Sequence, residues 1–200
     1  MELAIPFVTR KTFAPIAALA GALAIASAPR AAVAQAASST QSSTQSAAAK
    51  IDDPTIVAIF DAANTWDVET SGVALKKSHN KDVRAFARMM VRDHKAVRQL
   101  GRDLAHKLNV TPTPPGKDFA LYQDHVAAMK TLRNTRGAAF DKAYIDHEVA
   151  YHQAVIDTIT NTLLPATQNA DLKKLEVQVA PNFQAHLVAA KQVQQQLASR

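Results

Sequence analysis

Val83-Arg84-Ala85-Phe86-Ala87-Arg88-Met89-Met90-Val91-Arg92-Asp93-His94-Lys95-Ala96-Val97 is the stretch that decides the fold. Its inward stripe runs Val83, Ala87, Met90, His94, Val97, and continues through Gly101 and Leu104 to Leu108. Steps of three and four residues belong to an α-helix with one face turned to a core. Arginines, lysines and aspartates fill the other positions, as a solvated face requires. Asn109 and the run Thr111-Pro112-Thr113-Pro114-Pro115-Gly116 end this helix, expected over residues 81–108.

The same periodicity extends in both directions. Upstream, Asp53 and Pro54 start a helix that runs to about Ser78, with a stripe of Ile56, Ile59, Phe60, Ala63, Trp66 and Val73. Downstream, a short helix over residues 118–133 carries Phe119, Tyr122, Val126 and Met129. A fourth, over 138–164, carries Ile145, Val149, His152, Ile156, Ile159 and Leu163 and stops at Pro165. A last helix from Ala170 carries Leu172, Leu175, Val179, Phe183, His186, Ala190, Val193 and Leu197, with Pro181 inside it as an expected kink. The chain reads as all-α, an antiparallel four-helix bundle with one extra short helix.

The first 50 residues differ in kind. Arg10 and Lys11 precede a charge-free apolar run, Phe13 to Ala26, too short to span a bilayer and followed by Ala32-Val33-Ala34. Residues 1–34 therefore read as a cleavable signal peptide. Residues 35–50 are Ala, Ser, Thr and Gln, too poor in bulk to offset chain entropy, and read as a flexible leader. Residues 51–200 form the bundle domain. The chain has no cysteine, which excludes disulfides, lipid attachment at a lipobox, iron–sulfur clusters and thiol nucleophiles. The full chain carries +6, of which Arg10, Lys11 and Arg30 against Glu2 belong to the removed segment. The remaining positive charge is scattered, which suits loose contact with an envelope protein or anionic surface and not nucleic-acid binding. No mature segment is apolar enough to cross a membrane, so the expected location is periplasmic or secreted.

Three stripes carry one histidine each near mid-helix: His94, His152 and His186. Facing helices of an up-and-down bundle share their mid-depth, so the three imidazoles are expected in one layer. Glu69, a turn past Trp66, is the expected carboxylate on the first helix. Asp93, Tyr144 and Glu148 are placed to orient the ring nitrogens. Such a layer can hold a divalent transition metal, or it can be a buried polar network satisfied by Tyr144, Tyr151, Asp93, Glu148 and backbone carbonyls.

Other patterns fail on spacing. His147 and His152 stand five residues apart, about 140° around a helix, where a zinc-protease pair needs four. The paired Glu-x-x-His of a di-iron bundle is missing. His79, His106 and His125 read as surface or boundary residues, and Met89, Met90 and Met129 as core filler. Serines are concentrated in the leader, which leaves no Ser–His nucleophile.

The segment Phe86 to His94 resembles part of an exported bacterial family called domain of unknown function 4142. Phe140-Asp141-x-x-Tyr144 followed by His152, Pro181 with His186, and Ala62-Ala63-Asn64 with Glu69 resemble it as well. The likeness spans about residues 52–198. It implies a ferritin-like helical bundle and an exported protein. Two functional readings follow. One is a non-enzymatic envelope or stress-related bundle whose histidine layer is structural. The alternative is a transition-metal-binding or metal-dependent redox protein using His94, His152, His186 and Glu69. A metal-free hydrolase ranks last.

Overall fold

The computed structural model describes residues 51–199. The expected signal peptide and leader, at 1–34 and 35–50, lie outside the described residues. Six helical segments carry the rest of the chain: α1 (Asp53–Lys77), α2 (Lys81–Lys107), α3 (Ala120–Asn134), α4 (Gly137–Thr158), α5 (Leu164–Ala166) and α6 (Ala170–Ala198). A π-helical stretch, Ile159–Leu163, joins α4 to α5. No strand occurs among the described residues.

Local chemistry sets the helix ends. Asp52 caps α1, its Oδ1 accepting from the Thr55 amide at 3.0 Å. Asp53, expected as the cap, is the first helical residue. Its carboxylate instead accepts from the Gln168 and Asn169 amides, both at 2.9 Å, and ties the start of α1 to the loop before α6. Asn80 and Asn169 cap α2 and α6 through their side-chain oxygens. α2 ends with Asn109 at φ 52°, and the Val110 amide reaches back to the Ala105 carbonyl at 2.9 Å. This is the left-handed residue and six-to-one bond of a Schellman ending.

Four long helices form a ring in the order α1, α2, α6, α4, each packed on its neighbours. At one end, Asp53 meets residues 168 and 169, and Lys107 pairs with Asp171. At the other, Lys77 donates to the carbonyls of Leu132, Arg133 and Thr135, closing the C-terminus of α3. α1 and α6 therefore run one way, α2 and α4 the other. The chain returns from the end of α2 to the start of α4 through residues 108–119 and α3, which lies against α1 and α4. One long crossover in an otherwise antiparallel bundle is the ferritin-like topology. No described helix is long and apolar enough to cross a membrane.

The apolar core has two parts. One gathers Ile56, Ile59, Phe60, Val97, Val155 and Phe183. The other gathers Ala74, Phe86, Met90, Phe140, Tyr144 and Ala190. On every long helix buried polar residues lie where these two sets meet: Asn64, Asp67, Thr70 and Ser71 on α1, His94 on α2, Glu148 and His152 on α4, and His186 on α6.

Candidate metal centre

The helices bring His94, His152 and His186 together as their positions in the stripes require. One ring nitrogen from each lies within 4.8 Å of one from each of the others. Phe183 packs edge-on against His94 with ring centres 5.5 Å apart, and Tyr151 covers His152 from the neighbouring position on α4.

Outward hydrogen bonds fix which nitrogen of each ring faces inward. His94 Nδ1 lies 2.9 Å from Asn64 Oδ1. The Asn64 amide nitrogen donates to the Phe60 carbonyl at 2.7 Å, so Oδ1 accepts and His94 Nδ1 carries the hydrogen. His152 Nδ1 donates to the Glu148 carbonyl at 2.9 Å. His186 Nε2 donates to Asp93 Oδ2 at 3.1 Å. Each neutral ring has one hydrogen, and it is used outward. The remaining nitrogens, His94 Nε2, His152 Nε2 and His186 Nδ1, are buried lone pairs without a partner.

A fourth buried acceptor faces two of them. Asp67 Oδ2 is 3.3 Å from His94 Nε2 and 3.6 Å from His152 Nε2, and it too has no hydrogen-bond partner. Its other oxygen accepts from Ser71 at 3.3 Å, and Ser71 shares a hydrogen bond with Tyr144 at 2.8 Å. Glu148 completes a second group with Asp67 and His152. Thr70 donates to its Oε1 at 3.2 Å.

Burial governs the charges. It pushes His152 down to about 3 and lowers His94 and His186 as well. It raises Asp67 to about 7, and raises Glu148 well above the carboxylate range with help from the neighbouring Asp67 charge. The imidazoles are neutral at physiological pH and their inward lone pairs are free.

Three ring nitrogens therefore converge with no donor among them, and Asp67 Oδ2 stands against two of them, His94 Nε2 and His152 Nε2. A proton on Asp67 could bridge to one ring nitrogen and would leave two others unpaired, at about 1–3 kcal/mol each. A cation among the rings would satisfy the three nitrogens and the carboxylate that faces two of them. Tetrahedral ligands held about 2.0–2.1 Å from a zinc-sized ion stand roughly 3.3–3.4 Å apart, close to the two Asp67–histidine distances. The chemistry of the donor set, imidazole nitrogens and one carboxylate, suits late first-row divalent ions.

Glu69 is not in this layer. Two residues beyond Asp67, it lies about 200° around the helix. Its half-exposed carboxylate pairs with His125 Nε2 at 3.1 Å. His125, expected as a surface or boundary residue, is buried and stacks on Trp66 with ring centres 5.5 Å apart. The cause is the stripe on α1. Phe60, Ala63, Asp67, Thr70 and Ala74 continue the inward face in steps of three and four, but its middle is polar. Following apolar residues leads instead to Trp66 and Val73, on the seam with α3. Of the expected orienting residues, Asp93 binds His186 directly and Glu148 adjoins Asp67 and His152. Tyr144 reaches Asp67 through Ser71. Asn64 and Asp67 are the residues that apolar periodicity misses; the seven-residue step from Phe60 to Asp67 is the signal that finds the latter.

The comparisons with known proteins agree with the fold. A solved structure described as "CopM in the Cu(II)-bound form" superposes with a TM-score of 0.55 at 18% identity, covering 72% of this chain and 98% of its own. No curated protein matches. The family model described as Domain of unknown function (DUF4142) matches residues 36–193. The motif residues Asn64, His94, His152 and His186 that build the layer all fall inside that match, and the chain belongs to this family.

Proposed function

We propose that this protein holds one divalent late first-row transition ion, Cu(II) or Zn(II), on His94 Nε2, His152 Nε2, His186 Nδ1 and Asp67 Oδ2. The observation that carries the reading is the convergence of three unpartnered ring nitrogens, each ring already turned by an outward hydrogen bond, with the unpartnered Asp67 Oδ2 against two of them. Outer partners that fix tautomer and ring orientation are a regular feature of metal-ligating histidines. The fold relative in its Cu(II)-bound form supports a metal-holding use of such a bundle, while the ligand assignment rests on this chain's own atoms.

Four buried protein ligands leave no coordination position for a substrate. Closed sites of this kind hold metals, and catalytic sites keep an open position. The proposed role is therefore binding or buffering of the ion, without catalysis. The proposed setting is the periplasm or the cell exterior, from the basic, apolar and Ala-x-Ala pattern of residues 10–34.

The test is metal content by mass spectrometry on protein exported to the periplasm and purified without a tag or chelator, then again after loading with Zn(II) or Cu(II). About one equivalent in the native chain, lost in His94→Ala and weakened in Asp67→Asn, is the expected result. Native protein that takes up neither ion, or variants that bind as the native chain does, would overturn the reading and leave the layer a structural network.

A further inference from the structure

The four acceptors are not equally remote from solvent. The side chains of Asp67, His94 and His152 are 0–2% exposed. His186 is backed by Asp93, whose side chain is 27% exposed. These two residues lie in a groove of about 360 Å³ between α2 and α6, flanked by Met89, Ala96, Ala185 and Ala189. The alanines keep the groove open, since larger residues at those positions would close the helices over it. On the groove's outer side Arg92 pairs with Asp93, Nε to Oδ1 at 2.6 Å, and is itself 72% exposed. Pro181 sits inside α6 little more than one turn before His186. A proline there removes one backbone hydrogen bond and gives the helix a place to flex.

We propose that the α2–α6 groove is the port through which a divalent cation enters and leaves the buried layer, with Asp93 as the receiving carboxylate, His186 as the exchangeable ligand and Arg92 as an electrostatic latch. The inference rests on the metal-holding reading. Asp93 is the outermost carboxylate on this path, and it already touches the ring that must turn to admit an ion. Arg92 opposes the approach of a cation by occupying Asp93, and its exposure lets it swing away. Met89 adds a thioether at the rim. A competing route exists on the other side of the bundle. A groove of about 390 Å³ between α3 and α4 is lined by Asp124, His147 and Tyr151, but it reaches the back of Tyr151 and includes none of the four acceptors.

The experiment is stopped-flow uptake of Zn(II), and its transfer from loaded protein to a chromophoric chelator, using the whole mature chain. Ala185→Phe and Ala96→Phe fill the proposed port from either helix, and Ala150→Phe fills the α3–α4 groove. Uptake and release should each slow tenfold or more in the first two variants with the equilibrium Kd within twofold, and stay unchanged in the third. Arg92→Ala should speed uptake severalfold. Native rates in both port-filling variants, or slowing confined to Ala150→Phe, would overturn the port. If the native chain takes up no Zn(II), the metal-holding reading itself fails, and that outcome is distinct from a change in rate.

Discussion

At the scale of single residues, the centre has a proton balance that can be measured. Asp67 is raised to about 7 by burial, whereas His152 is held at about 3. Below about pH 7 a cation must displace the Asp67 proton, while burial favours the neutral form of the three rings. Apparent affinity for Zn(II) should therefore fall about tenfold per pH unit between pH 7 and 5, the slope of one proton released per ion. Asp67→Asn should bind more weakly at pH 7 and show a flat profile over the same range. Isothermal titration in two buffers of different ionisation enthalpy reads both. Asp67 is also where the sequence is least transparent. Histidine keeps enough apolar character to sit in a stripe of Val, Met and Leu, so His94, His152 and His186 can be picked out by spacing alone. A buried aspartate among Asn64, Thr70 and Ser71 resembles a solvated face, and only its seven-residue distance from Phe60 marks it as internal.

At the scale of elements, two glycines in long helices should respond with opposite signs to the same change. A Cβ at Gly72 in α1 would meet nothing within 4 Å. Gly72→Ala should then raise stability by about 0.5–1 kcal/mol through helix propensity and a less flexible unfolded chain. A Cβ at Gly101 in α2 would lie 2.7 Å from Phe60 Cδ1. Overpacking of this kind costs about 1–3 kcal/mol, against about 1 kcal/mol of propensity gained, so Gly101→Ala should lower stability. Urea unfolding of the two variants beside the native chain settles the signs. Helix limits were legible where Asn80, Asn109 and Asn169 announce them chemically, whereas Pro165, expected to stop the fourth helix, lies inside α5, past the π-helical stretch that follows α4. The placement of α3 was not legible, because Trp66, Tyr122 and His125 form its seam with α1, and a seam between an edge helix and a bundle has no periodicity of its own.

At the scale of the whole molecule, a polar layer divides the core into two apolar sets joined by the same four helices. Filling the layer should bind the halves into one unit, because an ion that binds only the folded state adds its binding free energy to stability. At a thousandfold excess over Kd this is about 4 kcal/mol, or on the order of 10 °C in Tm for a domain of this size. Calorimetry with and without Zn(II) should show that shift in the native chain and none in His152→Ala. The chain's single tryptophan adds something to this. Trp66 precedes Asp67 in sequence and stacks on His125 of the crossover helix, so its indole stands next to the centre without belonging to it. The protein thus carries its own optical label. With excitation confined to indole, the emission comes from one known place, where a paramagnetic Cu(II) quenches and a closed-shell Zn(II) does not, and where a change in wavelength without quenching reports the crossover helix lifting away.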